Sequence, residues 1–289
     1  MLEQEIVHKI EEFVLIQPRS ILEISEHLGQ NWRTVARYVD EIESQFGSIK
    51  TKTFRGGTRG ALKVVYWNLN EKISKNSFQS ELEQQIFSSR EKEDFSAFDI
   101  FQIADTKKKI ARTIIDNKLD NKESEEFVQL FKSVKKQLFI FSGNLSWVNL
   151  KSKNVALIKM IEELVKKGIK IKVICDVSIS SINNIEKLLS INFKNKSDLI
   201  EIHHRKQPLR GMLSDSGVLR IKEVLEPTNK INEPSKRLSI FYTIQDKDIG
   251  EWMIKIFYKM FNTSVDSSLR LNELNKVFIS NKAYKQGEK

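Results

Sequence analysis

A single cysteine among 289 residues, Cys175, excludes a disulfide framework and any multi-cysteine zinc module. It closes the apolar run Ile-Lys-Val-Ile-Cys and reads as an inert core thiol. Histidine is also scarce: His8, His27, His203 and His204 offer no helical metal spacing, and no metal ligand set is expected. No glycine-rich phosphate loop or dinucleotide fingerprint follows a strand, so no cofactor is expected either. No apolar run approaches the roughly 18 residues that cross a bilayer. The opening Met-Leu-Glu-Gln-Glu-Ile is acidic and helical in period, unlike a signal peptide, so the reading is cytoplasmic with no membrane partner. Four prolines and 11 glycines are few for this length, so each marks a break worth reading.

What the chain has in plenty is apolar residues, at 40%, and basic ones. A chain this long buries roughly three quarters of its extended surface without a covalent staple, and its length suits two domains. The 48 Lys and Arg against 38 Asp and Glu give a net charge of +10, which favours polyanionic partners.

Residues 1–70 read as three helices and a hairpin. Apolar positions Ile6, Ile10, Phe13 and Val14 keep helical spacing, Pro18-Arg19-Ser20 ends that helix, and Ser20 caps a second one with Ile21, Leu22, Ile24 and Leu28. Gly29-Gln30 is a tight turn, Asn31 caps a third helix, and Val35, Val39 and Ile42 form its core stripe. Strands 49–54 and 62–67 flank the glycine-rich tip Arg55-Gly-Gly-Thr-Arg-Gly60. Two helices on a short turn with a hairpin behind them resemble a winged helix-turn-helix, and the third helix resembles the recognition helix of archaeal winged-helix regulators. Double-stranded DNA is the implied partner, met by Asn31, Trp32, Arg33, Thr34 and Arg37 on the helix and by Lys52, Arg55, Arg59 and Lys63 on the hairpin. Seven bases face three acids between Asn31 and Lys63, whereas residues 1–30 carry two bases and six acids.

Residues 71–133 are polar and helix-prone, and read as a connector. Its Asp105-Thr-Lys-Lys-Lys-Ile-Ala-Arg stretch, alternating with Ile110, Ile114 and Ile115, reads as a solvated helix face. Leu82, Ile86, Phe87 and Phe98 are the candidate seam of a homodimer, unless they pack on their own domain.

From 134 to 283 strands alternate with helices, the mark of an α/β layered domain. Strands are expected at 137–142, 169–175, 199–203, 211–215, 218–221 and 238–243, with helices at 154–167, 181–189 and from 247 to 261. This region resembles a phospholipase D-type domain, whose chemistry lies in a His-x-Lys-x4-Asp motif. Here the motif reads Pro208-Leu-Arg210-Gly-Met-Leu-Ser-Asp215, with proline at the nucleophile's position. The expected fold class is therefore α/β plus α+β: winged helix-turn-helix, helical connector and phospholipase D-like α/β sandwich. The whole resembles the TrmB family of transcription regulators, which implies a DNA-binding regulator and not an enzyme, with a C-terminal domain for effector sensing and subunit contact. A small-molecule effector would meet His203, His204, Arg210 and Asp215, unless Arg210 and Asp215 pair with each other. Two alternatives stand beside this reading: a diverged phospholipase D-family nuclease using His203 or His204, and a winged-helix protein-interaction module.

Overall fold

Ser20 and Asn31 open two of the three N-terminal helices through the side-chain bonds their residue types favour. In the computed structural model, which describes residues 4–55, 61–68, 75–115, 121–150, 156–227, 236–274 and 276, the Ser20 hydroxyl accepts from the Glu23 amide at 3.1 Å. The Glu23 carboxylate returns the bond to the Ser20 amide at 2.6 Å, closing a capping box. Asn31 Oδ1 accepts from the Arg33 amide at 2.9 Å. Gly29, at φ 63°, ends the second helix in the left-handed region that favours glycine.

The order is α1 (Gln4–Ile16), β1 (Arg19–Ser20), α2 (Ile21–Leu28), α3 (Trp32–Gln45), β2 (Ile49–Arg55) and β3 (Ala61–Trp67). The strands form an antiparallel sheet in the order β1-β3-β2. Ile10, Ile24, Val35, Val39, Ile42 and Val65 are buried together beneath the three helices.

The larger body follows: α4 (Lys75–Ser88), α5 (Ala97–Ile103), β4 (Lys109–Ile115), α6 (Asn121–Ser133), β5 (Gln137–Phe141), α7 (Leu157–Lys166), β6 (Lys170–Cys175), α8 (Ile182–Asn195), β7 (Ile200–His204), β8 (Gly211–Ser214), β9 (Leu219–Leu225), β10 (Leu238–Ile244), α9 (Lys247–Asn262) and β11 (Val265–Asp266). Its eight strands run β11-β7-β6-β5-β8-β9-β10-β4. Among the described residues only β5, β6 and β7 pair in parallel. Strand alternation divides the core in two: Phe139 and Phe141 of β5 pack with α5 and α9, whereas Leu138 and Ile140 face α6, α7 and α8. Cys175 is buried in the second layer, and burial, with the Asp176 charge adding to it, pushes its thiol up to about 12.

Two expectations for residues 71–133 are corrected here. Residues 109–115 are strand, not a helix face: β4 pairs along its whole length with β10, from Lys109↔Ile244 to Ile115↔Leu238. The β-branched run Thr113-Ile114-Ile115 suits that pleated surface. Leu82, Ile86 and Phe98 are buried against the chain's own core, with Phe87 packed partly buried beside them, so they are not an open dimer seam. Phe54 and Leu62 of the hairpin enter the same core, which locks the N-terminal unit against the sheet.

Candidate functional site

Helix α3 spends Val35, Val39 and Ile42 on its core and leaves Arg33 and Arg37 exposed one turn apart. The Arg33 guanidinium lies 5.4 Å from the Trp32 ring centre and that of Arg37 5.6 Å from Tyr38. Trp32 and Thr34 are half-buried, and Asn31 is occupied as the helix cap. The hairpin residues divide. Arg55 is exposed, while its carbonyl accepts from the Thr113 hydroxyl at 2.7 Å. Lys63 donates to Asp40 at 2.6 Å. Lys52 turns inward, its ammonium 4.4 Å from the Phe101 ring centre, and burial lowers its pKa. Arg59 lies outside the described residues.

A second feature opens where the parallel strands β5, β6 and β7 end, the usual place for ligands in open α/β sheets. It is a cleft of about 710 Å³ lined, among the described residues, by eight arginines and lysines and two carboxylates, Glu91 and Asp176. Arg210, at the entry to β8, donates through Nη1 to the Gln207 and Leu209 carbonyls at 2.7 and 2.8 Å. The rest of its guanidinium lies over Gly143, where a Cβ would come within 2.9 Å of Nε. Burial lowers the Arg210 pKa, and the acids around it (Glu91, Glu93 and Asp176) act only through space.

Deeper in the cleft, Arg220 is 2% exposed and sits between the rings of Phe127 and Phe241, 4.6 Å from each. Its guanidinium pairs with Glu126, which also takes Arg112, and donates to Thr243. Burial works against the Glu126 carboxylate, but the bonds from Arg112, Arg220 and Thr243 prevail and hold its pKa below the usual value.

The four expected ligand residues are dispersed. Asp215 stands beyond the far end of β8 from Arg210, roughly 16 Å of extended chain away. Its carboxylate accepts from the Lys135 and Lys136 amides at 2.8 and 2.7 Å, so it fastens a turn and does not pair with Arg210. His203 stacks on Phe261 with ring centres 3.8 Å apart. His204 accepts from the Val177 amide at 2.9 Å, and burial, opposed by the Asp176 charge, lowers its pKa. Of the four, only Arg210 lines the cleft. Sequence reading missed Arg220 and Glu126, although an arginine between Leu219 and Ile221 breaks an apolar run and was a visible signal. It also missed Arg90, Arg205 and Lys206, which meet Arg210 only through loop geometry.

No protein-family model and no curated protein sequence matches the chain. Among solved structures the chain is similar to Nuc, a phospholipase D family member from Salmonella typhimurium, at 11% identity and TM-score 0.37, over 55% of this chain and 97% of that one. NucT from Helicobacter pylori gives 13% identity and TM-score 0.37, over 55% and 99%. The phosphatidylserine synthase of Haemophilus influenzae Rd KW20 gives 13% and 0.37, over 62% and 47%. None of these three is a TrmB-type regulator, and no residue correspondence is drawn at this similarity. One expectation is corrected by them: a synthase stands among these neighbours, so the exclusion of enzymatic activity does not hold.

Proposed function

We propose that residues 4–67 form a winged helix-turn-helix unit that binds double-stranded DNA, and that the protein is a transcription regulator. The larger body, phospholipase D-like in layout, is its regulatory part. One observation carries this reading: α3 meets its packing needs on one face and presents Arg33 and Arg37 uncovered on the other. No helix among the described residues is long and apolar enough to cross a bilayer. In this reading the regulator acts as a homodimer, because one such unit covers one half-site. The seam then lies elsewhere than Leu82, Ile86 and Phe98, which are buried within the chain.

The test is selection of bound DNA from a random pool, followed by anisotropy titrations at several salt concentrations. An enriched sequence is expected, with binding that weakens steeply as salt rises. No enrichment, together with salt-independent binding, would leave the N-terminal unit as a protein-interaction module. The same DNA is checked for strand breaks, since reproducible cleavage would move the reading to a nuclease. The geometry does not favour His203 or His204 for that chemistry, as neither lines the cleft.

A further inference from the structure

We propose that the cleft beside Arg210 binds a small phosphorylated organic molecule with two to three negative charges, and that the turn at 90–96 carries its occupancy to the N-terminal unit. The charge follows from which cations are already answered. Arg220 has Glu126, Lys206 has Glu91 at 2.9 Å, and Arg237 has Glu226 at 3.2 Å. Lys92 stands between Glu93 and Glu226, at 3.4 and 3.7 Å. Arg90, Arg205 and Arg210 have no carboxylate within ion-pair reach among the described residues, and Asp176 is the one acid of the lining without a lysine or arginine partner there. Three cations against one anion, with Lys222 engaged beside them 5.3 Å from the Phe241 ring centre, suit a ligand carrying two to three charges. Arginine forks match phosphate oxygens in pairs, and the partial burial of Arg205 and Arg210 strengthens such bonds. A volume of about 710 Å³ exceeds what inorganic phosphate fills, and half-buried Trp147 and Leu150 in the lining suit an organic body.

The route to the N-terminal unit is a wall shared by two cavities. A second cavity, of about 360 Å³, lies at the junction, where Arg19 and Glu23 of the N-terminal unit face Phe95, Ser96 and Glu223. Lys92 and Val224 line both cavities. The turn between them is a short, internally braced piece: the Asp94 carboxylate accepts from the Arg90 and Glu91 amides at 3.0 and 2.9 Å. Its far end is tied to the sheet by the Ser96 hydroxyl, which donates to Glu223 at 2.9 Å. An anion in the cleft competes with Glu91 for Lys206 and attracts Arg90, so it acts on this turn directly. The turn then moves as a unit against Arg19 and Glu23. Binding must differ between two seatings of the N-terminal unit for this to have an effect.

The transmission rests on the reading of the larger body as regulatory, but its test uses no DNA, so either can fail without the other. Full-length protein is titrated calorimetrically with adenosine diphosphate, inorganic pyrophosphate and adenosine, and amide hydrogen exchange is followed with and without the diphosphate. Adenosine diphosphate is expected to bind, pyrophosphate more weakly, and adenosine not at all. Arg210→Gln and, as a surface variant that leaves the core alone, Arg90→Gln should each weaken diphosphate binding about tenfold or more. Exchange should change at 90–96 and at 17–23 together. Failure of both phosphorylated probes to bind, or binding indifferent to both substitutions, would overturn the site. Binding that leaves exchange at 17–23 unchanged would overturn the transmission.

Discussion

Phe54 of the N-terminal hairpin stands edge-on to Tyr242 in the middle of β10, with ring centres 6.3 Å apart and planes at 78°. Phe98 of α5 completes the cluster, 6.2 Å from Phe54 and 6.1 Å from Tyr242. The hairpin is thus held by the larger body, and with it the angle at which α3 is presented.

Truncating the Phe54 ring should loosen the whole N-terminal unit. Phe54 is 5% exposed, and Phe54→Ala is expected to cost about 3 kcal/mol through reduced burial and an unfilled cavity. Urea unfolding measures the change. Hydrogen exchange should rise along β2 and β3 before it rises in β5 and β6.

The DNA face should be narrower than a count of basic residues suggests. Arg33→Ala with Arg37→Ala is expected to abolish sequence preference, at roughly 1–3 kcal/mol for each arginine that no longer reaches a base edge. Arg55→Ala should lower the salt slope by about one unit. Lys52→Ala should leave both affinity and salt slope unchanged, because that ammonium lies against Phe101. Anisotropy titrations distinguish the three outcomes.

Stability should depend on pH through a carboxyl pair near the junction. Burial raises the Asp99 pKa well above its usual value, and the Glu223 charge adds to the rise. Burial raises that of Glu223 as well, against the bonds it accepts from the Tyr242 and Ser96 hydroxyls. The folded chain therefore holds these protons more tightly than the unfolded one. Stability from this source is full below about pH 4 and falls as pH rises through the folded-state values. Asp99→Asn keeps an acceptor for the Gln102 amide and removes one charge. It is expected to be more stable than the wild type at pH 8, with the gap closing toward pH 4 in urea titrations.

Breaking the buried charge cluster from its acidic side should be costly. Glu126→Ala leaves Arg112 and Arg220 without their shared carboxylate, and a loss of about 3–5 kcal/mol is expected. Glu162→Ala, whose Lys166 partner is exposed, serves as the control and should change stability by about 0.5 kcal/mol or less. Chemical denaturation of the two variants side by side gives the comparison.

Gly143→Ala tests the seating of Arg210 without touching a charge. The added Cβ would meet the guanidinium at 2.9 Å, so the side chain must swing away. Adenosine diphosphate affinity is expected to fall about tenfold, some 1.4 kcal/mol, with the fold intact by circular dichroism.

The elements that could be read in advance are those fixed by near neighbours in sequence. The Ser20–Glu23 capping box, the Gly29 turn and the Asn31 cap each depend on residues within three positions. The short apolar run Leu138-Phe139-Ile140-Phe141 marked β5 in the same local way. Strand β4 was not legible, because its identity comes from β10, whose Leu238 pairs with Ile115. Phe98 and Leu82 read equally as seam or core, and only the packed sheet decides between them. In the cleft, Arg210 could be found from a motif within one strand. Asp215 belongs to that motif as well, yet strand geometry sends it to the other end. Arg90, Arg205 and Glu126 come from separate elements, and no spacing announces that they converge.

The pairing of β4 with β10 also sets a timetable for the ribosome. Residue 115 emerges long before residue 238, its partner. At ordinary rates of synthesis that interval lasts roughly ten seconds. Throughout it the nascent strand lacks β10, the one neighbour it has at this edge of the sheet, and closing so distant a pair makes for slow, high-contact-order assembly. Lys107, Lys108, Lys109 and Arg112 are spread along this segment, a row of like charge that disfavours pairing of one nascent copy with the next. The charges of Lys109 and Arg112, tied in the finished sheet to the Phe101 and Gln102 carbonyls and to Glu126, oppose aggregation before those partners are in place.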